Sequence, residues 1–343
     1  MIITRTPFRM SFFGGGTDFS EFYNKYGGSV ISTTFDKYCY ISTRHLPRFF
    51  DYSNQLTYSK IETFDSIEDI EHPLIKNVMK YLDMHEIRLS YDADLPAKSG
   101  LGTSSSFAVG MLNAFHVLKG EFASKKQLAD EAIFVERVLC NEAGGVQDQI
   151  AASFGGFNRI DFTPEGYRIN PIIMSQERKR ALNERLLLFF TGIARYSFEI
   201  QKNMELAIKN KEENLLEMLS LVDEAQSILT SQKPLEEFGQ LLNYTWRLKR
   251  GITSGISTGT IDQLYERALK AGALGGKLLG AGGGGFLLLY VEPEKRNVIL
   301  KELKDLVYIP FSFETEGTKV IYYEHESWEQ NEFLTKRKSI GTI

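Results

Sequence analysis

The stretch Ser99-Gly100-Leu101-Gly102-Thr103-Ser104-Ser105-Ser106 places a glycine turn directly before a helical pattern. Phe107, Met111, Phe115 and Leu118 fall at i, i+4, i+8 and i+11, so they share one apolar helix face. The first turn of such a helix presents backbone N–H groups without intrahelical partners, at the positive end of the helix dipole. Glycine lets those amides approach a ligand closely, so loop and helix together predict an anion site that suits a triphosphate. Ser104 can add a hydroxyl ligand to the Mg²⁺ that accompanies a nucleotide, because magnesium takes hard oxygen donors. The plainer alternative is a serine helix cap without a ligand.

Two further glycine clusters flank this one: Gly14-Gly15-Gly16-Thr17-Asp18, and the run from Gly275 to Gly285. Gly272-Ala273-Leu274-Gly275-Gly276-Lys277-Leu278 fails the Walker pattern, with too few residues between its glycines and leucine after lysine. Gly280-Ala281-Gly282-Gly283-Gly284-Gly285 satisfies G-x-G-x-x-G, but it leads into an apolar strand pattern, Phe286 to Val291, where a dinucleotide fingerprint must open a helix. Neither a P-loop nor a dinucleotide fold follows.

A second helix is announced by Ser124-x-x-Gln127, a capping box, with Leu128, Ala132, Val135 and Leu139 as its buried stripe and an end near Gly144. On a neighbouring stripe, Ala129, Ile133, Glu136 and Cys140, Glu136 is the only charge. A lone buried carboxylate needs a cation or hydrogen bonds; a magnesium ion shared with Ser104 supplies one, and pairing with Arg137 or Arg159 is the bland alternative. Asp148 follows in Gly144-Gly145-Val146-Gln147-Asp148-Gln149, read as a loop past the helix end. There it is either an Asx turn or a carboxylate aimed at a phosphate site, able to accept the proton of an attacking hydroxyl.

With 343 residues, two domains are expected, split in the polar stretch near residues 171–180: 1–177 and 178–343. The first half begins with strand-like residues. The second combines helical segments at roughly 197–228 and 233–250 with strands at 286–291 and 318–323, which predicts an α+β domain of helices on an antiparallel sheet. A formal charge of −4 offers no field for nucleic acid, and any phosphate must be held locally. Two cysteines, no export-type N-terminus and no membrane-length apolar run predict a soluble cytoplasmic protein.

Pro7-Phe8-Arg9 leading to Gly14-Gly15-Gly16-Thr17-Asp18, then Pro96 with Gly100 to Ser105, then Gly145-Val146-Gln147-Asp148-Gln149, then Gly280 to Gly284, resembles the GHMP kinase family in order and spacing. The resemblance implies a two-domain fold, a ribosomal-protein-like N-terminal α/β domain and a ferredoxin-like C-terminal α+β domain, with the active site between them. It implies ATP over Pro96, Ser99, Gly100, Leu101, Gly102, Thr103, Ser104, Ser105 and Ser106. Ser104 and Glu136 become magnesium ligands, Asp148 the catalytic carboxylate and Arg9 a group near the transferred phosphate. Gly15, Gly16, Thr17, Asp18, Gly282 and Gly283 fall on the acceptor side, with Asp18 gripping sugar hydroxyls. Gly15 and Gly16 stand where galactokinase-like members carry a Glu-His pair, which argues against a galactose pocket.

The Gly-Gly-Gly-Thr-Asp form, Leu187 to Arg195, Trp246-x-x-Lys249 and the Gly275 to Gly285 run resemble the branch of the family that phosphorylates heptose 7-phosphate at its anomeric oxygen, for surface polysaccharide; fucokinases are less similar. A phosphorylated acceptor requires a second anion site, for which Arg195, Lys249 and Lys277 are candidates. Expected partners are therefore ATP, Mg²⁺ and a sugar phosphate, with a homodimer compatible. The rivals are a kinase of an unphosphorylated sugar such as fucose and a non-catalytic sugar or nucleotide sensor.

Overall fold

The computed structural model describes residues 1–47, 50–97, 99–193, 197–208, 211–253 and 255–324. Among these, two sheets organise the chain. The larger runs, in spatial order, through strands Lys319–Tyr323, Ile2–Phe13, Gly28–His45, Ile87–Ala93, Asn54–Thr57 and Ile61–Phe64, with Phe157–Thr163 and Phe313–Glu314 also paired to Gly28–His45 and Gly166–Pro171 continuing from Phe157–Thr163. Only Asn54–Thr57 with Ile87–Ala93 is parallel among the described pairs. The second sheet is antiparallel, in the order Val307–Ile309, Leu186–Phe190, Phe286–Tyr290, Gly275–Leu278.

Helix Thr103–Leu118 lies on the larger sheet, and it is buried all round rather than on one face: Thr103 and Ser105 to His116 are all inaccessible. The sheet covers one side and helices Pro73–Tyr81, Lys125–Phe134 and Gln147–Phe154 cover the others. Gly110 allows the closest approach, since a Cβ there would stand 2.7 Å from Thr6 Oγ1, and Thr4 Oγ1 donates to the Gly110 carbonyl at 2.9 Å.

The two halves share one core. Phe8, Phe12 and Phe13 of the first strand pack with Leu186, Leu188, Phe238 and Phe286, and Phe238 meets Phe12 and Phe13 edge-on at 5.5 and 5.1 Å. The strand expected at 318–323 forms, at Lys319–Tyr323, but it leaves the second sheet and pairs with Ile2–Phe13 instead. Its hydrogen bonds are satisfied by the free edge of the first strand, which local sequence does not reveal. The helical pattern expected over 197–228 is two helices, Ser197–Ile208 and Glu212–Thr230. No helix among the described residues is long and apolar enough to cross a membrane.

Candidate active site

Ser124 caps the helix Lys125–Phe134 by accepting from Gln127 N–H, as its capping box predicts. Beyond Phe134 the helix widens into one π turn, Val135–Leu139, in which Cys140 N–H reaches back to Val135 O at 2.8 Å. The extra residue per turn shifts the register of everything after it. Leu139, expected in the buried stripe, is therefore 37% exposed, and the helix ends before Gly144. Glu136, inside the π turn, is 1% exposed.

The Glu136 carboxylate accepts from Ser105 Oγ at 2.7 Å and from Gln149 Nε2, both on Oε2. Among the described residues no basic side chain pairs with it, neither Arg137 nor Arg159: Arg137 turns to the Gly145 carbonyl and Arg159 to Asp161 and Asp223. A buried carboxylate with one oxygen unclaimed by protein donors suits a hard cation. Ser104, expected to share that ion, is exposed on the first helical turn, one residue before the serine that touches Glu136. The serine hydroxyl that meets Glu136 is thus that of Ser105, and only the unclaimed Glu136 oxygen is suited to a divalent ion.

Arg9 ties the site together from the first strand. Its Nε and Nη2 donate to Asp148 Oδ1 and Oδ2, both at 2.7 Å; its Nη1 donates to Gly100 O at 2.8 Å; and its backbone N–H donates to Leu101 O at 3.1 Å. Bidentate guanidinium–carboxylate pairing is directional as well as strong, so Asp148 is held in one orientation. Asp148 sits in the first turn of helix Gln147–Phe154, not in the loop that its glycine-rich approach suggested. Gly102 has φ 73°, and a Cβ there would come within 3.2 Å of Arg9 Cγ and 3.4 Å of Asp148 Oδ2.

The Gly14–Gly16 turn is closed by Thr17, whose single hydroxyl hydrogen lies between the Gly14 and Ser29 carbonyls, each 2.9 Å from Oγ1, and whose side chain is buried away from the cleft. Asp18 accepts from Gly16 N–H at 2.9 Å and from Gln147 Nε2 at 3.0 Å. Burial pushes its carboxyl above the usual range, the Gly16 hydrogen bond opposes that shift and the charge of Asp148 adds to it. Gly145 is required beside it, because a Cβ there would lie 1.9 Å from Asp18 Oδ2.

Asp18, Asp148 and Arg9 face a cleft, partly open to solvent, shared with Gly15, Gly16, Lys249 and Lys277. Lys249 comes from helix Glu236–Arg250 and donates to Gly280 O at 2.7 Å; Lys277 comes from strand Gly275–Leu278 and donates to Phe12 O at 2.9 Å. Burial pushes the Lys249 ammonium down to about 8, helped by the charge of Arg9 and opposed by Asp18 and Asp148. The folded state therefore holds fewer protons than the unfolded state between about 8 and the ordinary lysine value of 10.5, so this group weakens the fold at neutral pH and the penalty lifts as pH rises through that window. Lys249→Met is expected to stabilise the protein at pH 7 by up to about 3 kcal/mol and by less at pH 9.5, read from urea midpoints at the two pH values.

Several expected residues lie elsewhere. Gly282 and Gly283 do not line the cleft; a Cβ on Gly282 would strike the Ile256 carbonyl at 2.5 Å, and Gly283 N–H donates to that same carbonyl. Gly280 and Ala281 of the run do line the cleft, and its glycines also pack backbone against backbone: a Cβ on Gly280 would stand 2.4 Å from Gly100 Cα, and one on Gly285 2.2 Å from Ser99 O. Ser106 Oγ donates to Pro7 O, Pro96 is exposed, and Arg195 lies outside the described residues. Ser11, Gln147, Gln201 and Met204 line the cleft without having been singled out. Ser11 follows Arg9 by two, the spacing of one strand face, and Gln147 stands inside the motif of Asp148; Gln201 and Met204 carried no signal. Ser11 Oγ, Ser99 Oγ and Gln147 Oε1 are buried without hydrogen-bond partners among the described residues, polar atoms that a bound ligand can satisfy.

Two family models match this chain. Residues 72–156 match the model for the GHMP kinases N terminal domain and residues 221–309 the model for GHMP kinases C terminal; the chain belongs to the GHMP kinase family. More particularly, it is 31% identical over 334 residues to the D-glycero-alpha-D-manno-heptose 7-phosphate kinase of Campylobacter jejuni, spanning 93% of this chain and 98% of that one. The fold matches the crystal structure of a D-glycero-D-manno-heptose 1-phosphate kinase from Bacteriodes thetaiotaomicron, with a TM-score of 0.71, 24% identity and coverage of 95% and 100%. It also matches the galactose complex of Lactococcus lactis galactokinase, with a TM-score of 0.70, 17% identity and coverage of 93% and 94%.

Proposed function

We propose that this protein transfers the γ-phosphate of ATP to the anomeric hydroxyl of D-glycero-D-manno-heptose 7-phosphate, giving the 1,7-bisphosphate and ADP, in the cytoplasmic formation of nucleotide-activated heptose for surface polysaccharide. The observation that carries the reading is the Arg9–Asp148 pair, fixed at both carboxylate oxygens beside the start of helix Thr103–Leu118 and open to the cleft. The similarity to a heptose 7-phosphate kinase supports the choice of acceptor.

In this reading Gly100 to Ser104 present backbone N–H groups and a hydroxyl to the triphosphate. Ser104 and Glu136 would hold Mg²⁺, which when bound would neutralise charge on the phosphate oxygens. Asp148 accepts the proton of the anomeric hydroxyl as that oxygen bonds to the γ-phosphorus and the bond to the leaving ADP oxygen breaks. Arg9 orients Asp148 and balances negative charge on the transferred group. Asp18 grips acceptor hydroxyls, in the position that Gln147 and the Gly16 amide define. Residues 1–177 form the nucleotide half and 178–343 the second half, which lends strands Phe313–Glu314 and Lys319–Tyr323 to the first sheet.

ADP release with heptose 7-phosphate, free heptose and fucose tests the acceptor, and phosphorus NMR of the product identifies the oxygen phosphorylated. Turnover confined to heptose 7-phosphate with a new anomeric phosphate is expected. Preference for either unphosphorylated sugar overturns the choice of substrate, and no turnover with any sugar overturns the reaction.

A further inference from the structure

Two ammonium groups face the cleft, and among the described residues neither forms an ion pair. Lys249 is 5% exposed and Lys277 2% exposed, and the only hydrogen bond either makes among the described residues goes to a neutral carbonyl, Gly280 O and Phe12 O respectively. An ammonium carries three N–H donors, so each retains hydrogens that no acceptor among the described residues uses. Asp18 and Asp148 are near enough to be felt electrostatically, yet Asp148 is taken by Arg9 and Asp18 by Gly16 and Gln147. Burial pushes the Lys277 ammonium well below its ordinary range, Lys249 and Arg9 add to that shift and Asp18 opposes it, so positive charge gathers where burial penalises it. Such a cluster is costly unless an anion completes it.

The surroundings indicate which anion. The cleft is walled by Gly15, Gly16, Asp18 and Gln147, and no residue of the loop 99–106 lines it. In the kinase reading the triphosphate sits over that loop, which Arg9 Nη1 joins at Gly100 O. We propose that Lys249 and Lys277 together bind the phosphate that the acceptor sugar already carries, and so select phosphorylated over free sugars. That the pair binds an anion stands on its own geometry; that the anion is an acceptor phosphate rests on the kinase reading.

Isothermal titration of the wild-type protein, Lys249→Met and Lys277→Met with heptose 7-phosphate, free heptose and ATP tests this, accompanied by steady-state rates. Each substitution is expected to weaken heptose 7-phosphate by about 10- to 150-fold, the range for a lost charged hydrogen bond, while affinity for free heptose and for ATP stays level. The kcat/KM preference for the phosphorylated sugar should fall by a similar factor. Thermal unfolding of both variants confirms that they are folded, and if Lys277→Met is not, Lys249→Met decides. Loss of ATP affinity with acceptor affinity intact would assign the lysines to the nucleotide and overturn the proposal, as would an unchanged preference for the phosphorylated sugar. A wild-type protein that binds heptose 7-phosphate through Lys249 without consuming ATP would refute the kinase reading and leave the anion site standing.

Discussion

Asp148→Asn lowers kcat by about 10²- to 10⁴-fold, the usual worth of a positioned general base, and leaves ATP affinity nearly level. Both Asp148 oxygens accept from Arg9 at 2.7 Å, so asparagine turns an NH₂ group toward the guanidinium at one of them. The variant loses the proton acceptor and also loosens Arg9, whose third contact, to Gly100 O, helps to hold the glycine loop. ATP binding survives because its donors are backbone amides of that loop and helix, and the backbone bond of Arg9 N–H to Leu101 O still holds the loop. Single-turnover rates with saturating ATP, together with equilibrium binding of a non-hydrolysable analogue, separate the two effects. Near-normal turnover would remove Asp148 from the chemistry.

Glu136→Gln raises the Mg²⁺ concentration for half-maximal rate by at least about tenfold without unfolding the protein. Both protein donors to this carboxylate, Ser105 Oγ and Gln149 Nε2, converge on a single oxygen, and a glutamine carbonyl can accept from both. The substitution also removes a buried charge that has no ionic partner among the described residues, so the melting temperature holds or rises. A Mg²⁺ titration of ADP release beside a thermal scan reads both quantities. If the metal dependence is unchanged, Glu136 is a structural acid and the magnesium assignment to it and Ser104 fails.

Much of this site is legible in the letters because its parts are local. A glycine turn before a 3.6-residue apolar repeat signals the helix mouth at 102–104, a capping box predicts the start at Ser124, and three short motifs single out Arg9, Asp18 and Asp148. The failures occur where a contact is made across the fold. Within the run Gly280 to Gly285, Gly280 lines the cleft, but Gly282 and Gly283 do not, and glycines of the run are needed for contact with Gly100, Ser99 and Ile256. Leu139 matches a buried α-helical stripe until the π turn rotates it outward.

By itself, the sequence determined the family, the mixed helix-and-sheet class and the identity of the groups offered for chemistry, because propensity, periodicity and motif spacing operate over a few residues at a time. Only the tertiary structure decided that Lys319–Tyr323 returns to the first sheet, that the π turn carries Glu136 to Ser105 and Gln149, and that Lys249 and Lys277 meet Asp18 in one cleft. Those outcomes depend on which distant surfaces exclude water from one another and on where unpaired strand edges find partners, and neither quantity is written in any short stretch of chain.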